Sequence, residues 1–388
     1  MTARKEEVGP QGLASALVAS GALHPEWLPT FYSVPRDVFV PPRIWPGIAA
    51  GTRQNALVDR GTDPDAWFEA VYSDIPLTTQ WDDGQHAGDG IGTTPSSSNS
   101  QPHMVLSMLA DLDVQDGHRA LEIGTGTGWN AALLSFRLGS ENVVSIEYDP
   151  EVAKGAIASL RDAGLSPLIV GGDGRLGCPE HAPYDRIIAT CSIGEVPYTW
   201  VEQTVPGGVI VAPWGTGYGG EAIARLTVDE DGTANGHFTR SSAFMRLRQQ
   251  RSQRAHHDAY LKGQEWPAGG VKSTATLSPE DIDGWVEQFA ISLRVPGTFW
   301  SVEPDDDGTY VVWFYSDDEQ SWASIDYEPG ASKYLVVQSG PRRLWDETEA
   351  AYRWWERQGR PDFGRFGLTV DSRGDHPWLD TPDNPLQA

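Results

Sequence analysis

The segment that decides the fold is Ala120–Leu134, which reads ALEIGTGTGWNAALL. A short apolar run is followed by three glycines, Gly124, Gly126 and Gly128, and then by apolar residues at helical spacing. This order predicts a buried strand, a tight turn and a helix. Because glycine has no side chain, the backbone of such a turn can bend sharply and approach a ligand closely.

Predicted strands and helices alternate around this segment on short connections. That alternation is typical of a mostly parallel sheet with helices on both faces. The predicted fold class is therefore α/β, a doubly wound, Rossmann-like sheet. We expect its strands at 119–123, 142–147, 168–170, 184–190 and 209–213, and its helices at 102–113, 129–138 and 150–163.

Changes in local composition divide the 388 residues into four regions. Residues 1–101 combine a short predicted helix with extended loops, and residues 102–248 carry the sheet. Residues 249–271 form a basic linker, which is unusual in an acidic chain. Residues 272–388 are predicted to be a separate α+β module with an aromatic core. Within the module we expect strands at 311–315 and 334–337, a helix at 345–357 and an irregular end from Asp371.

The composition excludes several classes of function. Acidic residues outnumber basic ones by 54 to 29, and a net charge of −25 would repel nucleic acids and anionic lipids. No apolar run is long enough to span a membrane, and the polar N-terminus has no signal-peptide core. Two cysteines, Cys178 and Cys191, suit a reducing cytosol. We expect a cytoplasmic monomer without a metal site.

Two classes of ligand use a glycine turn of this kind. The dinucleotide fingerprint is G-x-G-x-x-G, but here the third glycine comes one residue early and Trp129 stands in its place. Glu122, two residues before the first glycine, would disfavour a pyrophosphate and favour a cation. S-adenosylmethionine (SAM), which carries an ammonium and a sulfonium, fits this pattern better. A tight turn without a ligand is the remaining alternative.

Two more acids follow the next two predicted strands. Glu147 ends the second strand, about twenty residues beyond the glycines, where nucleotide-binding sheets hold a ribose diol. Asp173 follows the third strand, where its carboxylate would accept a hydrogen bond from an adenine amino group. Because the carboxyl ends of parallel strands share one edge of the sheet, these acids predict a cofactor crevice.

Several motifs, in order along the chain, resemble those of the protein L-isoaspartate O-methyltransferases. Val34–Pro41, VPRDVFVP, is similar to V-P-R-x-x-F-V-P of that family, and Tyr72–Leu77, YSDIPL, to its Y-x-D-x-P-L. Ser100–Met104, SQPHM, resembles S-A-P-H-M, and Leu121–Trp129 resembles L-E-I-G-T-G-S-G-Y. The resemblance covers Phe31 to about Arg248. Further matches are G-D-G at 172–174, A-P-Y-D at 182–185 and P-G-G at 206–208.

The resemblance implies a SAM-dependent carboxyl O-methyltransferase that acts on a peptide or protein and releases S-adenosylhomocysteine. A carboxylate is already ionised at neutral pH, so alignment and removal of water matter more than a strong base. By resemblance, Ser100 orients the carboxylate, with Ser98 as the alternative in register, and His103 helps to close the site. An N-cap role for Ser100 and a packed position for His103 are the alternatives.

The other site residues are assigned from the acids and glycines above and from the resemblance. Cys191 has no histidine or second cysteine paired with it in the sequence and is interpreted as lining the site. Cofactor contacts are expected from Glu122, Gly124, Thr125, Gly126, Glu147, Tyr148, Gly172, Asp173, Gly174 and Thr190. Substrate contacts are expected from Val34, Pro35, Arg36, Thr94, Ser100, Arg248 and Arg251.

Two departures from the family bear on the substrate. The gap before Ser100 is expanded to Thr78–Asn99. For the Gly- and Ser-rich residues 82–101, composition leaves a flexible linker and an ordered loop both open, and the resemblance makes this loop a substrate gate. The chain also continues well beyond the sheet. Both features resemble actinobacterial homologues that methylate an aspartate of a cyclised ribosomal precursor peptide, leading to aspartimide or isoaspartate. That biosynthetic function is the prediction, and protein repair is its alternative.

Two rivals belong to other classes of protein. A methyltransferase for small molecules is disfavoured by Ser100–Met104 and Val34–Pro41. A peptide-binding module with a degenerate crevice is disfavoured by the intact Glu122, Glu147 and Asp173. The tryptophans of the C-terminal region, together with the preceding arginines, are predicted to hold the peptide. The alternative is that these tryptophans form a core.

Overall fold

The structure is a computed structural model that describes residues 8–47, 56–265, 267 and 269–386. Within these residues the chain forms three β-sheets, of four, nine and five strands. No helix in the described part of the chain is long and apolar enough to cross a bilayer. The N-terminal end of region 1–101, residues 48–55 and parts of the predicted linker lie outside the described residues.

The N-terminal region covers one face of the central sheet. Its side chains Phe31, Trp67 and Leu77 belong to the same apolar cluster as Trp129 and Val211 of the central domain. The expanded gap Thr78–Asn99, which includes most of the residues for which composition leaves a linker open, lies in a β-hairpin. The helices are α1 (Pro10–Ala19), α2 (Leu28–Ser33) and α3 (Pro64–Val71). The antiparallel strands are β1 (Arg43–Pro46), β2 (Val58–Asp59), β3 (Leu77–Trp81) and β4 (Pro95–Asn99), in the order β2-β1-β3-β4.

The central sheet confirms the predicted α/β class. Its first strands are β5 (Ala120–Ile123), β6 (Val143–Glu147), β7 (Leu168–Gly171), β8 (Tyr184–Ala189), β9 (Thr204–Trp214), β10 (Ala222–Val228) and β11 (Ala234–Ser241). The helices are α4 (Pro102–Leu112), α5 (Trp129–Leu138), α6 (Pro150–Asp162) and α7 (Tyr198–Glu202). Strands β7-β6-β5-β8-β9 are parallel, and β10 and β11 are antiparallel. The strand order reverses between β5 and β8, which is where open α/β sheets bind ligands.

The C-terminal sheet is antiparallel, and aromatic side chains pack against both of its faces. Phe314 on one face contacts Trp345, and on the other face Trp313, Tyr315 and Trp322 cluster with Tyr260. These tryptophans are buried, which agrees with the core alternative for them. The helices are α8 (His257–Leu261), α9 (Trp285–Ser292) and α10 (Leu344–Arg357). The strands, in the order β12-β16-β15-β14-β13, are β12 (Val271–Ala275), β13 (Thr298–Pro304), β14 (Tyr310–Ser316), β15 (Trp322–Tyr327) and β16 (Tyr334–Ser339).

The end of the chain corrects the predicted boundary at residue 272. The end expected to be irregular from Asp371 instead contains β18 (Gly374–Leu379), which forms a hairpin with β17 (Phe366–Asp371), and β17 pairs with β11 of the central sheet. Phe366, Leu368 and Val370 alternate into the core and are fully buried. This alternation is the two-residue period of a strand with one buried face. The region 272–388 is therefore not a separate module, because its last hairpin extends the central sheet.

Candidate functional site

A cavity of about 540 Å³ opens at the carboxyl ends of β5, β6 and β8, beside the reversal of strand order. One wall is the glycine turn after β5, and the segment 241–248 after β11 forms another. Residues around the end of β4 complete the lining. The structure thus brings together most of the residues expected from the sequence. Those that line the cavity are Ser98, Ser100, Glu122, Gly124, Thr125, Gly126, Glu147, Tyr148, Gly172, Gly174, Thr190, Cys191, Arg248 and Arg251.

The glycine turn presents bare backbone to the cavity. Gly124 and Gly126 have φ angles of 94° and 54°, which side chains rarely adopt. A Cβ atom at Gly124 would lie 3.1 Å from the Thr190 hydroxyl, and one at Gly126 would lie 3.3 Å from the Ser98 carbonyl oxygen. The Thr190 hydroxyl donates to the Gly124 carbonyl. Glycine is required here both by conformation and by space.

Glu122 is buried directly behind this turn. Its Oε1 accepts a 2.8 Å hydrogen bond from Asn130, and its Oε2 accepts a 2.5 Å bond from the Ser145 hydroxyl. Burial raises the pKa of Glu122 to about 7, although these two hydrogen bonds oppose the rise. A cation in the cavity would favour the ionised carboxylate. The position of Glu122 therefore fits the cationic part of SAM.

Glu147 at the end of β6 is held by backbone amides. Its Oε2 accepts from the Gly126 N–H at 2.9 Å, and its Oε1 accepts from the Asp149 N–H at 3.0 Å. Burial raises the pKa of Glu147 above its usual value. A carboxylate oxygen has more than one lone pair, so each oxygen can also accept a ribose hydroxyl. The bare turn and the two fixed carboxylates together fit SAM.

Asp173 is placed differently from its neighbours. Its carboxylate accepts from the Arg175 backbone N–H at 2.9 Å and from Arg175 Nη2 at 2.7 Å. The backbones of Gly172 and Gly174 line the cavity, but Asp173 is not among its lining residues. The expected bond from Asp173 to an adenine amino group therefore stays a prediction, and Arg175 would compete for that carboxylate.

Ser100 faces the cavity and does not cap the helix that follows. The N-cap of α4 is Gln101, whose side chain makes no capping bond, and Asp74 instead accepts a 2.8 Å bond from the His103 N–H. The Ser100 hydroxyl is thus not needed at the helix start. His103 does not line the cavity, and its Nδ1 lies 3.3 Å from the Ser20 hydroxyl. The expected role of His103 in closing the site therefore stays a prediction, and in the structure this side chain lies beside Ser20 outside the cavity lining.

Arg36 has a structural role in place of the expected contact with substrate. Its guanidinium is buried and donates to Asn99 Oδ1 at 2.6 Å, to the Ser100 carbonyl at 3.0 Å and to further backbone carbonyls. Burial lowers the pKa of Arg36 to about 9. Because its donors are occupied by these acceptors, the side chain is not available to a substrate, and its bond to the Ser100 carbonyl helps to position Ser100. Val34 and Pro35 also lie outside the cavity lining, and the Val34 carbonyl accepts from Trp129.

Arg248 and Arg251 line the cavity, but both are already paired with acids. Arg248 contacts Asp83 at 3.2 Å and Asp149 at 3.0 Å, and Arg251 contacts Asp83 at 3.0 Å. Asp83 lies in the β3–β4 hairpin and Asp149 follows Glu147, so these four residues, the roof latch, tie the hairpin to the central sheet. The prediction missed this latch because its acids lie far from the arginines in sequence.

Two hairpin residues extend these ties. Gln80 donates to Asp149 at 3.0 Å, and Asn99 donates to the Thr127 hydroxyl in the glycine turn at 2.9 Å. The only feature of the sequence that could have indicated the role of Asn99 is that it directly precedes Ser100. Thr94, expected to contact substrate, instead donates its backbone N–H to Asp82 at the far end of the hairpin and does not line the cavity.

Comparison with known proteins gives consistent matches. Residues 55–252 match the family model described as Protein-L-isoaspartate(D-aspartate) O-methyltransferase. A protein-L-isoaspartate O-methyltransferase of Pyrococcus horikoshii is 37% identical over 149 residues, which are 38% of this chain and 67% of that protein. Protein-L-isoaspartate O-methyltransferase 1 of an Anaeromyxobacter species is 33% identical over 222 residues, or 57% of this chain and 86% of that protein.

The fold is also shared with a solved structure. A protein-L-isoaspartate O-methyltransferase matches with a TM-score of 0.52 and 22% identity, over 96% of this chain and 100% of the other. At this identity the match concerns the fold alone. Because it extends over nearly the whole chain, the fold match includes the C-terminal sheet.

Proposed function

Since the chain belongs to the protein-L-isoaspartate(D-aspartate) O-methyltransferase family, we propose that it methylates isoaspartyl residues of damaged peptides and proteins, the first step of their repair. The chain is a SAM-dependent carboxyl O-methyltransferase with the corresponding Rossmann-like fold. The observation that carries the proposal is that the glycine turn, Glu122, Glu147 and Ser100 all line one cavity.

SAM is the cofactor and supplies the methyl group. The chain offers Glu122 to a cationic group, Glu147 to the ribose hydroxyls and the bare backbone of Gly124 and Gly126 to close packing. The Ser100 hydroxyl would donate to one oxygen of the substrate carboxylate and so fix the direction of the other. The hairpin, held by the roof latch, would exclude water from that carboxylate.

The lining of the cavity suits a substrate that is itself the nucleophile. Among the described residues that line it there is no histidine or lysine that could serve as a general base. Burial raises the pKa of Cys191 to about 12, so this thiol stays protonated and is not a nucleophile at neutral pH. A carboxylate needs neither group, because it is ionised well below neutral pH.

The biosynthetic function, methylation of an aspartate in a cyclised precursor peptide, is the second candidate. The enlarged β3–β4 hairpin over the cavity favours it, since a gate of this size suits a bulky substrate. The C-terminal sheet does not favour either candidate, because a solved relative of the same fold matches over nearly the whole chain. The cytoplasmic location and the monomeric state also remain predictions.

Mass spectrometry with SAM and three substrates separates the candidates. The substrates are a linear isoaspartyl peptide, the same peptide with aspartate, and a cyclised precursor peptide encoded by a neighbouring gene. Repair predicts that only the isoaspartyl peptide is converted to a methyl ester, in which a methyl group replaces the carboxyl proton. Methylation of the cyclised aspartyl peptide, with the linear isoaspartyl peptide left unchanged, would replace the repair proposal with the biosynthetic one.

A further inference from the structure

A second cavity, of about 330 Å³, lies between the C-terminal sheet and the loop 215–220 that joins β9 to β10. Among the described residues, four aromatic side chains line it together with aliphatic ones, and two acids stand among them. Nothing in the proposed reaction uses it. Its principal lining residues are Tyr218, Trp300, Tyr310 and Phe314, with Glu280 and Asp283.

The aromatic side chains form a fixed apolar wall. Tyr218 and Phe314 are buried, with ring centroids 6.3 Å apart and an interplanar angle of 32°. Tyr310 stacks on Tyr327 with centroids 4.4 Å apart, which holds its ring in one orientation. Trp300 is only partly buried and leaves part of its ring open. Such walls can accept the flat face or the apolar stem of a side chain.

The two acids give this cavity a negative charge that is not neutralised. Both carboxylates are exposed, and within the described residues neither Glu280 nor Asp283 lies within 4.0 Å of a basic side chain. Asp283 accepts instead from the neutral amide of Gln288 at 3.2 Å. The pKa of Tyr310 is raised to about 12, first by burial and then by Glu280, which agrees with their closeness.

Helix α9 contributes one residue to the lining of each cavity. Trp285, at the start of α9, lines the first cavity, and Gln288, three residues later on the same helical face, lines the second. The loop 215–220 packs tightly against this helix, because a Cβ atom at Gly220, whose φ is 69°, would lie 2.3 Å from the Phe289 nitrogen. A chain leaving the first cavity along α9 would therefore reach the second.

We propose that the second cavity is a substrate subsite, which takes the side chain of an arginine or lysine from the polypeptide whose isoaspartyl residue occupies the first cavity. The inference rests on the proposed function, because it requires a polypeptide substrate. Aromatic rings attract a guanidinium or ammonium through their negative faces, and the two carboxylates add charge complementarity. The enzyme thereby prefers damaged sites that lie near a basic residue.

The test compares pairs of isoaspartyl peptides that carry either arginine or citrulline, its neutral isostere, at each position on either side of the isoaspartate. Steady-state kinetics are measured for the intact chain and for the double variant E280Q/D283N, in which each side chain loses its charge but keeps one acceptor oxygen. The matched control is D65N/E69Q, which removes two exposed acids from helix α3. Melting temperatures verify that each variant is folded.

At one or more positions the intact chain is expected to show a KM about three- to tenfold lower for arginine than for citrulline, in line with a partly exposed cation–π contact. E280Q/D283N should lose this preference without change in kcat or in its KM for the citrulline peptide, whereas D65N/E69Q should keep it. An arginine preference that persists in E280Q/D283N, or is absent at all positions, overturns the subsite. If no isoaspartyl peptide of either kind is methylated, the proposed function itself has failed.

Discussion

The backbone N–H of Gly126 donates a 2.9 Å hydrogen bond to the carboxylate of Glu147, which joins the glycine turn after β5 to the end of β6. One acid therefore both shapes the turn and faces the cavity that the turn lines. The shape of the turn and the proposed ribose contact consequently depend on the same side chain.

Replacement of Glu147 by alanine should weaken SAM binding. The loss is expected to be about 1–3 kcal/mol, because ribose hydroxyls and the Gly126 N–H would each lose an acceptor. Calorimetric titration of SAM measures it, and Glu151→Ala, an exposed acid on α6, is the control. Unchanged affinity in folded Glu147→Ala would remove Glu147 from the cofactor site.

Replacement of Ser100 by alanine should lower kcat while leaving the affinity for SAM and the melting temperature nearly unchanged. A hydrogen bond to a carboxylate contributes about 1.5–3 kcal/mol, so a loss of roughly tenfold to a hundredfold is expected. Stability should hold because Asp74, and not Ser100, caps α4. The alternative register is tested by Ser98→Ala, and full activity of Ser100→Ala with a slow Ser98→Ala would transfer the role to Ser98.

The roof latch should control how fast the hairpin opens. Asp83→Asn removes the acid shared by Arg248 and Arg251, which are partly exposed and hence screened by salt. We expect the rates of SAM binding and release to rise by about two- to fivefold in this variant. At high salt the rates of the intact chain should approach those of the variant. Stopped-flow fluorescence measures both rates. Asp89→Asn, in the same hairpin but paired with Arg43, is the control, and equal rates in all three proteins would contradict the latch.

Asp375 should make stability depend on pH. Burial raises its pKa to about 7, although Trp214 and the Val196 N–H donate to it. The folded chain then holds a proton that the unfolded chain has released, so this side chain lowers the free energy of unfolding as pH rises from about 4 to about 7. The asparagine of the Asp375→Asn variant cannot ionise. The difference in free energy of unfolding between this variant and the intact chain should therefore be more in favour of the variant at pH 8 than at pH 5. Urea unfolding at both values measures this, and a parallel shift of both proteins would contradict it.

Truncation near residue 270 should unfold the central domain, contrary to the boundary expected from the sequence. It removes β17, which pairs with β11, and the buried side chains of Phe366, Leu368 and Val370. In the full-length chain, Leu368→Ala should cost about 2–5 kcal/mol, whereas Val271→Ala, at an exposed position, should cost little. Circular dichroism and denaturant unfolding report these effects. A truncated chain that folds and binds SAM would restore the separate module.

The sequence by itself determined the strand–turn–helix of Ala120–Leu134, the α/β class and two of the acids that line the cavity, Glu122 and Glu147. Those features depend on neighbours along the chain: apolar periodicity, the positive φ of glycine and the common edge of parallel strands. Helix α5, predicted at 129–138, has these bounds in the structure for the same reason.

Only the tertiary structure decided which polar side chains face a ligand and which support the fold. Arg36 and Asp74 belong to motifs of the family, yet one is buried behind Ser100 and the other caps α4. The latch between Asp83 and Arg251 and the pairing of β17 with β11 join residues far apart in sequence. Local patterns do not encode such contacts. An arginine that is buried as a support and an arginine that binds a carboxylate ligand look the same in the sequence, because only the packing of the chain around them decides which partners they meet.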